Sequence, residues 1–137
     1  MNYKKILLSL EQLSRDVEVL KTAIDCAYKY SAELTILHIN TNMAGVPSRA
    51  MRPLEHKVTL EELKDAAKEH NLNNIKINFE IVQDDDVLGV IVEKAKKFDL
   101  LVLGHRHMNF FEEMLVDSID EKIINRVQCH CLIVNKG

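Results

Sequence analysis

Five places in the sequence gather side chains that could do chemistry. Cys129-His130-Cys131 sets two thiols and an imidazole within three residues, donors suited to zinc or to redox exchange. His105-Arg106-His107 offers two imidazoles and a guanidinium, which could clamp an anion or contribute to a metal site. Asp84-Asp85-Asp86 supplies three successive carboxylates, as Mg²⁺ binding or phosphoryl acceptance would require. Ser118 stands among Asp117, Asp120 and Glu121, a hydroxyl and acids at the start of an apolar-periodic stretch. Glu11 follows the first apolar run.

The backbone under each group limits what it can do. Successive residues of a strand point to opposite faces, so His130 does not converge with both thiols. Cys129 and Cys131 would share a face about 6.5–7 Å apart, at or beyond the reach of a disulfide. With Cys26 they read as reduced thiols packed in a core, in a reducing compartment. His105 and His107 lack a third metal ligand, so a solvated basic loop is the plainer reading. The three aspartates suit the positive end of a helix. A response-regulator receiver would have such an acid, and Lys136 follows the last strand as a receiver's lysine would, but it also needs an acidic pair after strand one, where only Glu11 stands. Ser118 with Glu121 makes a capping box, which accounts for the hydroxyl without a ligand. No nucleophile with a nearby base can be assigned.

The elements that must position these groups alternate from end to end. Ile6 to Leu8 is strand one. From Ser14, a candidate N-cap, Val17, Leu20, Ile24 and Ala27 recur at helical spacing. Leu34 to Ile39 is strand two. Asn40 to His56, with Gly45, Pro47 and Pro53, is a long connection. Thr59 and Glu62 box the second helix, striped by Leu60, Leu63 and Ala67. Ile75 to Ile81 alternates as a strand with one wet face or near an edge. Asp84 to Asp86 opens the third helix, whose buried face is Leu88, Ile91, Val92 and Ala95. Leu100 to Leu103 is strand four, and Gly104 to Asp117 a connecting segment. Ile119, Ile123, Ile124 and Val127 give the last helix its core face, and Cys131 to Val134 is strand five. Strands joined by helical crossovers predict an α/β fold, a three-layer open parallel sheet of five strands with helices on both faces. Ligands of such a sheet bind beyond the carboxyl ends of its strands, so the loops that matter start at Leu10, Asn40, Gln83 and Gly104. Met108, Phe110, Phe111, Met114 and Leu115 form an apolar cluster in the last of these, as core, lid or docking surface.

Composition agrees with one domain over residues 1–137. The 137 residues are 47% hydrophobic and 28% charged, a globular mixture able to bury a core without staples. Eighteen basic and 21 acidic side chains leave a formal charge of -3, with no basic excess for nucleic acid. No apolar run is long enough to span a membrane, and Met1 to Lys5 leads into too short an apolar run for a signal peptide. The expected location is the cytoplasm. No Gly-x-Gly-x-x-Gly follows strand one, and neither a Walker A sequence nor a Gly-x-Ser-x-Gly elbow occurs.

Tyr3-Lys-Lys-Ile-Leu-Leu-Ser9, Leu34-Thr-Ile-Leu-His-Ile39, Asp99-Leu-Leu-Val-Leu-Gly-His-Arg-His107 and the run from Asp117 to Val134, in this order, resemble the universal stress protein family over essentially the whole chain. The resemblance implies a sheet of order 3-2-1-4-5 and a homodimer; with no catalytic constellation among the residues, the expectation is a protein without catalysis. The resemblance also implies a nucleotide site: ATP-binding members are similar in a motif of Gly, two residues, Gly, nine residues, Gly, then Ser or Thr. Laid on this chain, those positions are Gly104, His107, Asp117 and Ser118, with Ile119 following and Arg106 inside the motif. The family's nucleotide-reading acid after strand one falls near Glu11, and its adenine-contacting backbone at Ile39. Two glycines are therefore missing. Glycine lets backbone N–H groups approach phosphate without a Cβ between. Asp117 instead sets a carboxylate at a helix N-terminus, where phosphates need exposed N–H groups and positive potential. The chain resembles the branch that has lost ATP binding; the expectation is no tightly held cofactor, with weak AMP or ATP binding as the alternative. In the implied order, strand five is an edge. Cys131, Leu132, Ile133 and Val134 are apolar on both faces with no guarding charge, so a second copy is expected to cover them.

Overall fold

A computed structural model describes residues 2–41, 56–105 and 119–135. Five strands form one parallel sheet: β1 (Lys5–Ser9), β2 (Glu33–Asn40), β3 (Ile77–Gln83), β4 (Leu100–His105) and β5 (His130–Asn135). Their order is β3-β2-β1-β4-β5, as the family resemblance implied. The helices are α1 (Val17–Tyr30), α2 (Leu60–His70), α3 (Val87–Ala95) and α4 (Ile119–Ile124).

Residue parity explains the layers. Ile6, Leu8, Leu34, Ile36, Leu100 and Val102 pack with α1 and α2 residues such as Ala23, Ile24 and Leu63. Their neighbours Leu7, Leu37, Leu101 and Leu103 pack on the other face with Ile91 and Ala95 of α3 and Ile123 of α4. Central strands buried on both faces must be continuously apolar, which is why β1 and β4 show no alternation. β3 is an edge. Ile77, Phe79 and Ile81 support the first core while Lys94 Nζ meets Glu80 at 3.0 Å on the opposite side. One wet face was the sequence expectation for this strand.

Several boundaries and faces differ from the sequence reading. β3 begins at Ile77, because the Asn71 side chain binds both backbone groups of Ile75, accepting from its N–H and donating to its carbonyl, each at 2.9 Å. β4 runs on through Gly104 and His105, in register with Val134 and Asn135. Ile124 is 44% exposed while Ile123 is buried: one residue along a helix is a rotation of about 100°, which carries 124 out of the core. Ile91 and Ala95 are buried on α3 as expected, and Leu88 packs beside them. The capping box of α2 forms, with Thr59 accepting from the Glu62 N–H at 3.2 Å. Asp86 caps α3 by accepting from the Gly89 N–H at 3.0 Å; a Cβ at Gly89 would collide with that carboxylate.

At the amino edge of the sheet, Asp99 ties β4 to β1 by accepting from the Lys4 and Lys5 N–H groups at 2.9 Å. Those hydrogen bonds, and then the nearby Lys4 and Lys5 charges, hold its carboxyl below the usual range. A depressed acid stabilises the fold above its unfolded value of about 3.9 and loses that contribution as pH falls through the lower folded value. Asp99→Asn is therefore expected to flatten the acid limb of stability below about pH 4, read as urea midpoints at pH 3 and 6. An unchanged limb would show that other carboxylates govern it.

Candidate functional site at the carboxyl edge of the sheet

β1 and β4 lie side by side at the centre, with Ser9 in register with Leu103, while their crossovers lead to opposite faces. This is the topological switch point, where the loops leaving adjacent strands diverge and leave a crevice. Glu11 on the loop after β1, Ile39 near the end of β2 and Gly104 near the end of β4 all share this edge. Gly104 is a strand residue rather than the first residue of a loop. Ile39 is a ladder residue in register with Val82, its side chain turned to the α3 face. Ile119 begins α4. Arg106, His107, Asp117 and Ser118, the apolar cluster from Met108 to Leu115, and Lys136 lie outside the described residues.

The loop after β1 is built around one acid, Asp16. Ser14 was the expected cap of α1, but the helix starts at Val17 and Asp16 holds the N-cap position. Its side chain does not cap the helix. It turns back, and Oδ2 accepts from the Glu11 N–H at 2.7 Å and the Gln12 N–H at 2.9 Å. Asp16 is 2% exposed, and the two bonds it accepts are part-buried. Its backbone carbonyl receives the Leu20 N–H at 2.9 Å, joining the turn to the helix. Truncating it would leave two part-buried amide donors without their acceptor, at about 1–3 kcal/mol each. Asp16→Ala is expected to lower stability by about 2–4 kcal/mol, and Asp16→Asn by less, since its amide oxygen still accepts. Urea unfolding of both variants measures this; equal costs would mean the contact contributes only packing.

A second polar knot joins the loops beyond β1, β2 and β3. His38, 6% exposed, sets Nδ1 2.8 Å from the Leu10 carbonyl and Nε2 3.1 Å from Asn40 Oδ1. Asn40 Oδ1 also accepts from the Val58 N–H, and its Nδ2 donates to the Val58 carbonyl, each at 2.9 Å. The Asn40 backbone carbonyl accepts from the Asp84 N–H at 3.0 Å. His38 and Asn40 were invisible as a pair in sequence; their i, i+2 spacing on one strand was the available signal.

The remaining chemistry-bearing groups divide as strand geometry dictates. Cys129 and Cys131 pack on the α3–α4 face, while the Tyr3 hydroxyl meets His130 Nδ1 at 2.9 Å. Burial pushes the Cys131 thiol up to about 11, helped by Cys129 beside it, and raises Cys129 and Cys26 as well. Thiols held protonated are poor nucleophiles. Among the described residues no group of three His, Cys, Asp or Glu is placed to hold a metal, and no described helix is long and apolar enough to cross a membrane.

Comparison with known proteins accounts for the whole architecture. A universal stress protein of Methanocaldococcus jannaschii is 28% identical over 98% of this chain and 83% of its own length. Universal stress protein A of Escherichia coli is 26% identical over 98% of this chain and 95% of its own. A universal stress protein solved in complex with cAMP superposes with a TM-score of 0.73 at 22% identity, covering all of both chains. The model of the universal stress protein family matches residues 2–135. With the strand order and crossovers already described, this chain belongs to the universal stress protein family.

Proposed function

We propose that this protein is a non-catalytic, homodimeric member of its family, working in the cytoplasm through partner binding and not gated by tightly held ATP. One observation carries the reading: Asp117 stands where ATP-binding members have the third glycine of their motif. Two like charges 4 Å apart repel by about 1 kcal/mol in water and about 4 kcal/mol at an effective dielectric of 20, and two further acids, Asp120 and Glu121, follow in the sequence. His107 further sets a side chain where the second glycine would be. The loop after β1 supports the same reading. The amides of Glu11 and Gln12 are already engaged by Asp16, so they are not open donors for a phosphate. Dimerisation is argued from β5, an edge strand whose Cys131, Leu132, Ile133 and Val134 are half-buried; a second copy would shield them.

A second reading, a nucleotide-responsive switch, draws on the structural relative solved with cAMP and on Gly104, Arg106 and Ser118, which the motif retains. A monophosphate presents less charge to Asp117 than a triphosphate does. The two readings separate when the purified protein is denatured and assayed for released nucleotide, then titrated with ATP and with AMP while its thermal midpoint is followed. The expected result is no released nucleotide and no upward shift at millimolar ATP. A shift of several degrees with either nucleotide selects the switch. Sedimentation as a monomer at micromolar concentration would remove the homodimer.

A further inference from the structure

We propose that His38 is held with a proton on both ring nitrogens, as an imidazolium clasping the Leu10 carbonyl to the Asn40 side chain, so that the carboxyl edge of the sheet tightens as pH falls. The inference follows from counting donors. Leu10 offers a backbone carbonyl, which only accepts, 2.8 Å from Nδ1. The atom of Asn40 facing Nε2 is Oδ1, at 3.1 Å. An amide's two ends can often be exchanged, but Val58 forbids it here. Its N–H requires an acceptor and its carbonyl requires a donor, and Asn40 supplies Oδ1 and Nδ2 to them in that order. Both ring nitrogens therefore face acceptors. A neutral imidazole carries one N–H, and whichever nitrogen lacked it would press a lone pair against an oxygen. Two ring protons satisfy both contacts, and hydrogen bonds from a charged donor are the stronger kind.

Among the described residues, the titratable groups around the clasp come from several elements; Lys57 beside Val58 and Asp84, whose N–H meets the Asn40 carbonyl at 3.0 Å, are both exposed. Strand parity places His38 on the α1–α2 face with Leu34 and Ile36. From the loop after β1 come Glu11, which is exposed, and Asp16, whose carboxylate holds the Glu11 and Gln12 amides. The α2 side brings His56 and Glu62, paired at 2.6 Å, and the exposed Lys64 and Asp65. On α1, Lys21 lies 3.8 Å from Glu18, both in solvent. On β3, Glu80 meets Lys94 on the opposite face. The His38 proton would then join the loop bearing Glu11 to the end of β2 and to Val58, just before α2.

The direction with pH follows from linkage. An unfolded histidine releases its proton above about pH 6.5. A folded state that retains it is favoured on the acid side and loses that advantage as pH rises. The test is long-range ¹H–¹⁵N NMR of the ring nitrogens in the full-length, uniformly labelled protein from pH 5.5 to 8. The expected result is two protonated ring nitrogens at pH 7 on the histidine assigned through its backbone resonances to position 38. That signal should vanish in His38→Gln, and the urea midpoint of the native protein should fall from pH 6 to 8 more than that of the variant. A single neutral tautomer with its proton on Nδ1 throughout the range overturns the proposal, and so does a pH dependence identical in the two proteins. Because the NMR reading is made on the native protein, it decides the matter even if the variant does not fold.

Discussion

Leu7→Ala is expected to remove about 3–5 kcal/mol of stability, the cost of a large cavity in a site that cannot collapse. Leu7 is fully buried and sits on the central strand, flanked in register by Thr35 of β2 and Leu101 of β4. Its side chain packs in the α3–α4 core with Leu37, Leu101, Ile91 and Ile123. Each of those neighbours belongs to a different element, so closing the void would require several elements to move together. A domain of this size has about 5–15 kcal/mol in total, which makes the variant marginal. A substitution on the outer strand should be gentler: Ile77→Ala, half-buried on the β3 edge, is expected to cost under about 2 kcal/mol, nearer the value of partial burial alone. Chemical unfolding of the pair measures the gap. Equal losses would mean that the core relaxes freely around the central strand, against the close packing that parity predicts.

The same parity explains why so much of the fold was legible. Ile6-Leu7-Leu8 and Leu100-Leu101-Val102-Leu103 are unbroken apolar runs, and a strand can be apolar on both faces only where helices cover both. Thr59 and Glu62 marked a helix start by a reciprocal hydrogen bond that needs only local geometry. What failed was local chemistry decided by distant partners. Ser14 and Asp16 are comparable caps on propensity, and the choice fell on the residue whose carboxylate could also reach the amides of Glu11 and Gln12. Ile75 fits the strand alternation, yet the Asn71 side chain claims both of its backbone groups. His38 looked like one more strand residue, because nothing in the sequence announces that Leu10, Asn40 and Val58 converge on it. The site was legible as a place, since strand order fixes where the loops diverge. It was legible as a motif only by comparing Gly104, His107, Asp117 and Ser118 with glycines that are absent.

That comparison makes the second large prediction. Restoring the glycines in a His107→Gly, Asp117→Gly double variant is expected to strengthen ATP binding over that of the native protein, with a gain of about 100-fold or more in affinity. The size follows from the terms removed. Relief of one like-charge contact is worth about 1–4 kcal/mol, and 1.4 kcal/mol is tenfold at 25 °C; the phosphates also gain backbone N–H groups with no Cβ between. At a ligand concentration 100 times the dissociation constant, binding stabilises the fold by about 2.7 kcal/mol, enough to raise the thermal midpoint by several degrees in a domain of this length. The single variants separate charge from shape. Asp117→Asn removes the charge and keeps the Cβ, so it should recover a large part of the gain, whereas His107→Gly alone should recover little. Loss of an acid beside the start of α4 forfeits about 0.3–1 kcal/mol of helix-dipole stabilisation, so each variant is compared with itself with and without ATP, at fixed Mg²⁺ and salt. If Asp117→Asn and the double variant bind ATP no better than the native chain, the acid at 117 is not the obstacle. The closed loop of Glu11, Gln12 and Asp16 would then be the element that keeps the nucleotide out, and Asp16→Ala, which removes the acceptor of both amides, the variant that reopens it.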